Sequence, residues 1–240
     1  MKYALILGAS GDIGQACAQS LAASGWSLYC HYHQQAEKVK NLTKVLEKEY
    51  PKQDFFSLQF DMRQEELPTL VAPLFQVDAI VFASGGTIYK LLTETSSEEM
   101  EQLWQVSLKT PMRLCQQLQP KLAQSKQGRI VFVGSVYGSA GSAMEVVYST
   151  LKGGQEAFAK AYAQEVATLG ITVNVVAPGA VNTQMNQEWT REERAELVSD
   201  IPLRRLAEPE EIADLVDFLV SEKSAYITGT TIPISGGWKV

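Results

Sequence analysis

Short apolar runs alternate with longer amphipathic stretches along the whole chain, and few architectures tolerate that pattern. The runs "KYALIL" (2–7), "WSLYCHY" (26–32), "DFFSLQF" (54–60), "DAIVFA" (78–83), "GRIVFVG" (128–134), "ITVNVVA" (171–177) and "TTIPIS" (230–235) read as strands. Between them the pattern predicts helices from about Asp12 to Ser24, Ala36 to Tyr50, Glu98 to Leu122, Val147 to Leu169 and Pro209 to Ser221. Ser96 or Ser97 is placed to cap the helix near Glu98, and Pro209 suits a first helical turn. The segment "RQEELPTLVAPL" suggests a short, proline-interrupted helix. Strand–helix alternation repeated six times implies a parallel sheet with helices on both faces, a doubly wound three-layer α/β fold. Pro233 cannot complete a ladder, so the last strand belongs at an edge. The stretch 180–207 fits no element; it is long and polar, as functional lids often are.

The 240 residues are enough for one large core and too few for two comfortable domains, so 1–240 reads as a single domain. A net charge of −6 argues against nucleic acid or an anionic membrane as main partner. Cys17, Cys30 and Cys115 are scattered, without ligand spacing, which points to a reduced compartment and no metal site. The N-terminal apolar run is too short for a signal peptide, and no stretch is long enough to span a bilayer. The expected location is the cytoplasm.

"LILGASGDIGQACA" follows the first strand and opens the first helix. In that context Gly8, Gly11 and Gly14 let the backbone turn tightly and approach a pyrophosphate, held by the free N–H groups of the helix start. The second strand ends in "CHYHQQ" (30–35), without the acid that would grip a ribose diol and repel a 2′-phosphate. NADPH is therefore expected over NADH, with His33, Ser10 or Lys38 as polar or positive contacts; His31 and His33 could equally be ordinary strand-end residues. Asp61, ending the third strand, either accepts from an adenine amino group or caps a loop.

The fifth strand ends at Ser135, on the sheet edge where open α/β folds bind ligands. Thirteen residues later "YSTLK" sets Tyr148 and Lys152 one helical turn apart. Alone, such a pair is an ordinary helical surface pair. Beside a nicotinamide and a serine hydroxyl, the cation would favour tyrosinate and make the phenol a better acid.

Together, "GASGDIG", "GSVYG", "YSTLK", "NVVAPG", "YITG" and the glycines at 236–237 resemble the short-chain dehydrogenase/reductase family over nearly the whole chain. The resemblance implies a Rossmann fold with a mainly parallel seven-stranded sheet, an NADPH cofactor and a ketone substrate. It implies Tyr148 as proton donor, Lys152 as the group that lowers its pKa and holds the nicotinamide ribose, and Ser135 as a second hydrogen bond to the carbonyl. Pro178 and Gly179 would shape the nicotinamide pocket, and Thr183 would reach the carboxamide. Ser10, Asp12, Ile13, Met62, Ala83, Ser84, Gly85 and Val181 complete the cofactor contacts that the family implies. Three departures stand out. Asp12 occupies the place of a family glycine, "FASG" (82–85) replaces "NNAG", and Ser107 stands where the family's fourth catalytic residue is asparagine.

The C-terminal half, with "GITVNVVAPG", "EPEEIADLVDFL" and "AYITG", resembles the 3-oxoacyl-acyl-carrier-protein reductases. A narrower resemblance is to the reductases of 5-aminopentanone on a lysine of elongation factor P, carried by "LYCHYH", "FASG", Ser107, "MEVVYSTLKGGQ" and "NTQMNQ". The carrier reductases place a base before the glycine of "GITVN"; here that residue is Leu169, leaving Lys126 and Arg129 as nearby bases. Met185, Asn186 and Trp189 are candidates to line the entrance. A catalytically weak NADPH-binding regulator is a further alternative, suggested by the incomplete tetrad. The family resemblance implies a homotetramer.

Overall fold

The computed structural model describes residues 1–64, 66–184 and 190–239. Seven strands, β1 (Lys2–Leu7), β2 (Trp26–Tyr32), β3 (Phe55–Gln59), β4 (Ala79–Phe82), β5 (Arg129–Val133), β6 (Thr172–Pro178) and β7 (Thr231–Ile234), form one sheet in the order β3-β2-β1-β4-β5-β6-β7. Every neighbouring pair is parallel. The helices are α1 (Asp12–Ala23), α2 (Ala36–Glu49), α3 (Pro68–Val71), α4 (Ser97–Trp104), α5 (Thr110–Gln124), α6 (Tyr137–Ala140), α7 (Val146–Val166), α8 (Arg191–Asp200) and α9 (Pro209–Val220).

The two-residue period of a strand explains the layers. Along β1, Ala4 and Ile6 join a core under α1, α2 and α9, built with Leu21, Leu46 and Val216. Leu5 and Leu7 point the other way, into a core with Leu114, Leu118 and Ala163 of α5 and α7. A strand buried on both faces must be apolar throughout, which is why β1 reads as a continuous run. Pro233 does lie on an edge strand, β7.

Two regions differ from the sequence expectation. The helix expected over 98–122 starts with the anticipated Ser96 cap, whose side chain and Glu99 bond each other's backbone N–H, but it is not uniform. A π-helical turn, Gln105–Lys109, separates α4 from α5 and places Ser107 in the irregularity. The 180–207 stretch is not all loop. Val181 bridges to Ala207, and Thr190 and Glu193 form a capping box that starts α8. α8 buries no residue, so no apolar stripe announced it. Met185, Asn186 and Trp189 fall outside the described residues.

Candidate active site

Strand order reverses between β1 and β4, which opens a crevice at the C-terminal sheet edge. On the β1 side the turn is built from backbone. Gly8 has φ +85°, and a Cβ on it would lie 2.7 Å from Ser84 Cα. A Cβ on Gly14 would lie 2.1 Å from the Gly8 carbonyl oxygen. Both positions therefore require glycine. Gly11 is the N-cap of α1 and supplies no side-chain cap, leaving first-turn N–H groups available to an anion. The Ser10 carbonyl accepts from Gln15, while Ile13 packs on the first core. Asp12 accepts the Gln184 N–H at 2.6 Å, joining the turn to the 180–184 segment.

His31 is not at the ribose position. It is buried within β2; its Nδ1 accepts the Gly8 N–H at 3.1 Å, and its Nε2 lies 2.9 Å from the Phe60 carbonyl. Those partners select the tautomer that donates from Nε2. Burial holds its pKa down at about 4. His33, beyond the strand end, lies 3.4 Å from Asp61. Arg63, absent from the sequence reading, grips Asp61 through Nε and Nη2, and this bonding holds the carboxyl down at about 2. Lys38 donates to Gln184 Oε1 at 2.9 Å. The ends of β2 and β3 thus bring His33 and Arg63 to one carboxylate, while Lys38 of α2 reaches the 180–184 segment. The Met62 carbonyl is tied to Thr110 Oγ1 at 2.6 Å.

Across the crevice, Ala83 follows β4 and donates its N–H to the Leu7 carbonyl. Ser84 Oγ is buried without a partner among the described residues, beside the Gly8 turn. Such an orphan, next to glycines that leave no room for side chains, suits a site that holds a dinucleotide. Gly85 borders the catalytic candidates, since a Cβ there would sit 3.8 Å from Lys152 Nζ.

Lys152 is buried and donates to the Val133 carbonyl at 2.7 Å; its Nζ lies 5.5 Å from the Tyr148 ring centroid. Burial lowers its pKa to about 8. Tyr148, on the first turn of α7, does not have the lowered pKa expected from its sequence neighbour. Burial pushes it up to about 12, opposed by a hydrogen bond with Ser135 and reinforced by Glu145 and Tyr137. Ser135 is buried at the end of β5, where its Oγ accepts the Tyr137 N–H at 3.2 Å. Ser107 is buried too, and its carbonyl accepts from Gln155 Nε2 at 2.8 Å.

Pro178 ends β6 and accepts the Val136 N–H; Gly179 donates to Ile234 and packs against Ser235. Val181 is buried, and Thr183 follows it with its N–H on the Val181 carbonyl. Arg129, one of the bases left for a carrier protein, is buried and donates to the Gly128 and Ser221 carbonyls, so it presents no surface charge. Glu145 was missed in the sequence. An acid three residues before Tyr148 was visible, but its place at the site depends on loops closing from elsewhere.

The family model described as "Enoyl-(Acyl carrier protein) reductase" (adh_short_C2) matches residues 8–239. The chain is 40% identical over 244 residues to the "uncharacterized oxidoreductase YmfI" of Bacillus subtilis (strain 168), covering 99% of this chain and 98% of that one. It is 33% identical over 241 residues to the 3-oxoacyl-(acyl-carrier-protein) reductase FabG of Escherichia coli (strain K12), covering 98% and 96%. Among solved structures, the angucycline C-6 ketoreductase LanV with bound NADP superposes with a TM-score of 0.92 at 28% identity, covering 98% and 95%. By its sequence match across nearly its full length and by its seven-stranded parallel sheet, this chain belongs to the short-chain dehydrogenase/reductase family of oxidoreductases.

Proposed function

We propose that this protein is an NADPH-dependent ketoreductase whose substrate is an amino ketone carried on a lysine of elongation factor P, the 5-aminopentanone modification. The reductase part rests on one observation above others: Ser135, Tyr148 and Lys152 meet at the sheet edge that also carries the glycine turn. Bound NADPH would supply the hydride to the carbonyl carbon. Gly8, Gly11 and Gly14 would admit its pyrophosphate to the start of α1, and His33, Arg63 and Lys38 favour a 2′-phosphate over a bare ribose. Tyr148, protonated at neutral pH, gives its proton to the carbonyl oxygen while Ser135 holds that oxygen. Lys152, whose pKa burial lowers to about 8, is suited to return a proton to the phenol. One hydride and one proton convert the ketone to the alcohol.

The choice of substrate follows the subfamily-like "FASG", Ser107 and Leu169, together with the burial of Arg129. The similarity to the E. coli FabG favours the alternative, a 3-oxoacyl-acyl-carrier-protein reductase, with exposed Lys126 as its remaining nearby base. Mass spectrometry of elongation factor P from a deletion strain separates the two. The proposal expects the modified lysine to carry the ketone, two hydrogens short of the alcohol. A fully reduced modification there, with efficient turnover of acetoacetyl-carrier protein by the purified enzyme, would favour the alternative. The tetramer remains part of this proposal and is read out by light scattering.

A further inference from the structure

The rim of the site holds a carboxylate that carbonyl reduction does not need. Glu145 caps α7 three residues before Tyr148, which sets it beside the phenol on the first turn. It is fixed in place: Thr87 Oγ1 donates to Oε1 at 2.7 Å, and Ser142 Oγ to Oε2 at 3.2 Å. The two loops that bring these donors are joined by the Lys90 N–H on the Met144 carbonyl at 2.8 Å. Two neutral donors leave acceptor capacity on a carboxylate, and no cation pairs with it among the described residues. The nearby lysines are engaged elsewhere, Lys152 with Val133 and Lys90 with Glu99 at 2.6 Å.

Aromatic rings stand around this charge. Tyr137 packs edge-on against Trp238 with ring centroids 5.6 Å apart. Ser142, which donates to Glu145, also bonds Tyr137, and Tyr89 precedes Lys90, whose N–H is on the Met144 carbonyl next to Glu145; Tyr89 is 67% exposed. A half-buried carboxylate among aromatic rings is the chemistry that binds alkylammonium groups. It suits neither a thioester nor an anionic chain. Clamping two loops would need the hydrogen bonds of Glu145 but not its charge.

We infer that Glu145, with Tyr137 and Tyr89, forms a subsite for a cationic amine borne by the ketone substrate. The inference rests on the reductase reading and adds to it the residue that selects the substrate's charge.

The test uses two isosteric methyl ketones, one with a three-carbon chain ending in trimethylammonium and the other with the same chain ending in tert-butyl. NADPH oxidation by the full-length protein should give a kcat/KM about tenfold higher for the cationic ketone, an advantage that shrinks with added salt. Glu145→Gln keeps the hydrogen-bonding shape and removes the charge. It should raise KM for the cationic ketone far more than for the neutral one. Tyr89→Leu, at an exposed position, should lower the preference severalfold. Equal kcat/KM for the two ketones, or a parallel loss of both in Glu145→Gln, would overturn the inference. Binding of non-reducible butyltrimethylammonium, followed by saturation-transfer NMR, decides the matter even if neither ketone is reduced. Binding lost in Glu145→Gln upholds the subsite while the reductase reading fails; binding absent from the unmodified protein, or unchanged in Glu145→Gln, overturns the subsite.

Discussion

The turn after β1 and the cluster after β5 lie on one sheet edge, yet they are made of different material. The turn is built of backbone: Gly8 and Gly14 exclude any Cβ, and His31, a side chain that stitches it, has both ring nitrogens engaged. The cluster is made of buried side chains displaced from their ordinary ionisation, with Tyr148 pushed up and Lys152 pushed down. Below it, Gln105 Oε1 and Gln155 Oε1 are buried without partners among the described residues. A shape-built site recognises a constant ligand such as a pyrophosphate. A site built from desolvated charges costs stability and is suited to moving protons.

The contrast should be widest at Tyr148. Tyr148→Phe removes the proton donor and leaves the turn intact, so turnover should fall by ~10²–10⁴ while NADPH affinity, read by fluorescence, stays near its original value. Activity within a factor of a few of the unmodified enzyme would show that the proton comes from another group.

Next in size is the acid sensitivity of the stitched turn. The folded pKa of His31, about 4, lies below its unfolded value of about 6.5. Its contribution to stability is therefore complete above pH 6.5 and is lost as the pH falls through 4, a change of at most ~3 kcal/mol. Neighbouring His33 lowers that pKa further, whereas Asp61 raises it. Denaturant midpoints of the unliganded protein should fall across this window, and the fall should be smaller in His31→Asn, whose amide can still accept the Gly8 N–H. Parallel pH profiles for the two proteins would mean that His31 does not carry the effect.

A methyl group tests the backbone turn directly. Gly14→Ala sets a Cβ against the Gly8 carbonyl and should destabilise the fold by roughly 1–3 kcal/mol while weakening NADPH binding. A crystal structure of this variant with the turn unmoved and affinity retained would show the crowding to be harmless. The smallest effect belongs to cofactor choice. His33→Asp places a second carboxylate beside Asp61 and should erase a preference for NADPH over NADH of about tenfold, some 1.4 kcal/mol. Equal dissociation constants in the unmodified protein would remove the basis for that preference.

Local periodicity is enough to read the parallel sheet, its strands and most of the helices, and a backbone demand that one residue type meets is enough to read the glycine positions; α8, which buries no residue, and the π-helical turn Gln105–Lys109 are not written there. From Tyr3 to Leu7, β1 reads as an unbroken buried run because both its faces are covered, and Pro233 names its own edge. What the polar residues of the site do follows from the tertiary structure. His31 and His33 look interchangeable in "CHYH", but the first lies inside β2, buried against Gly8 and Phe60, whereas the second lies beyond the strand end, beside Asp61. Glu145 acquires its place only when the loop carrying Thr87 closes on it, whereas Arg63 grips Asp61 two residues away, a local contact that periodicity does not report. Tyr148 and Lys152 stand one turn apart as the spacing requires, yet the direction of their pKa values is reversed from the simple pairwise expectation. Spacing reports which charges are near, whereas burial, a property of the whole fold, determines what each charge costs.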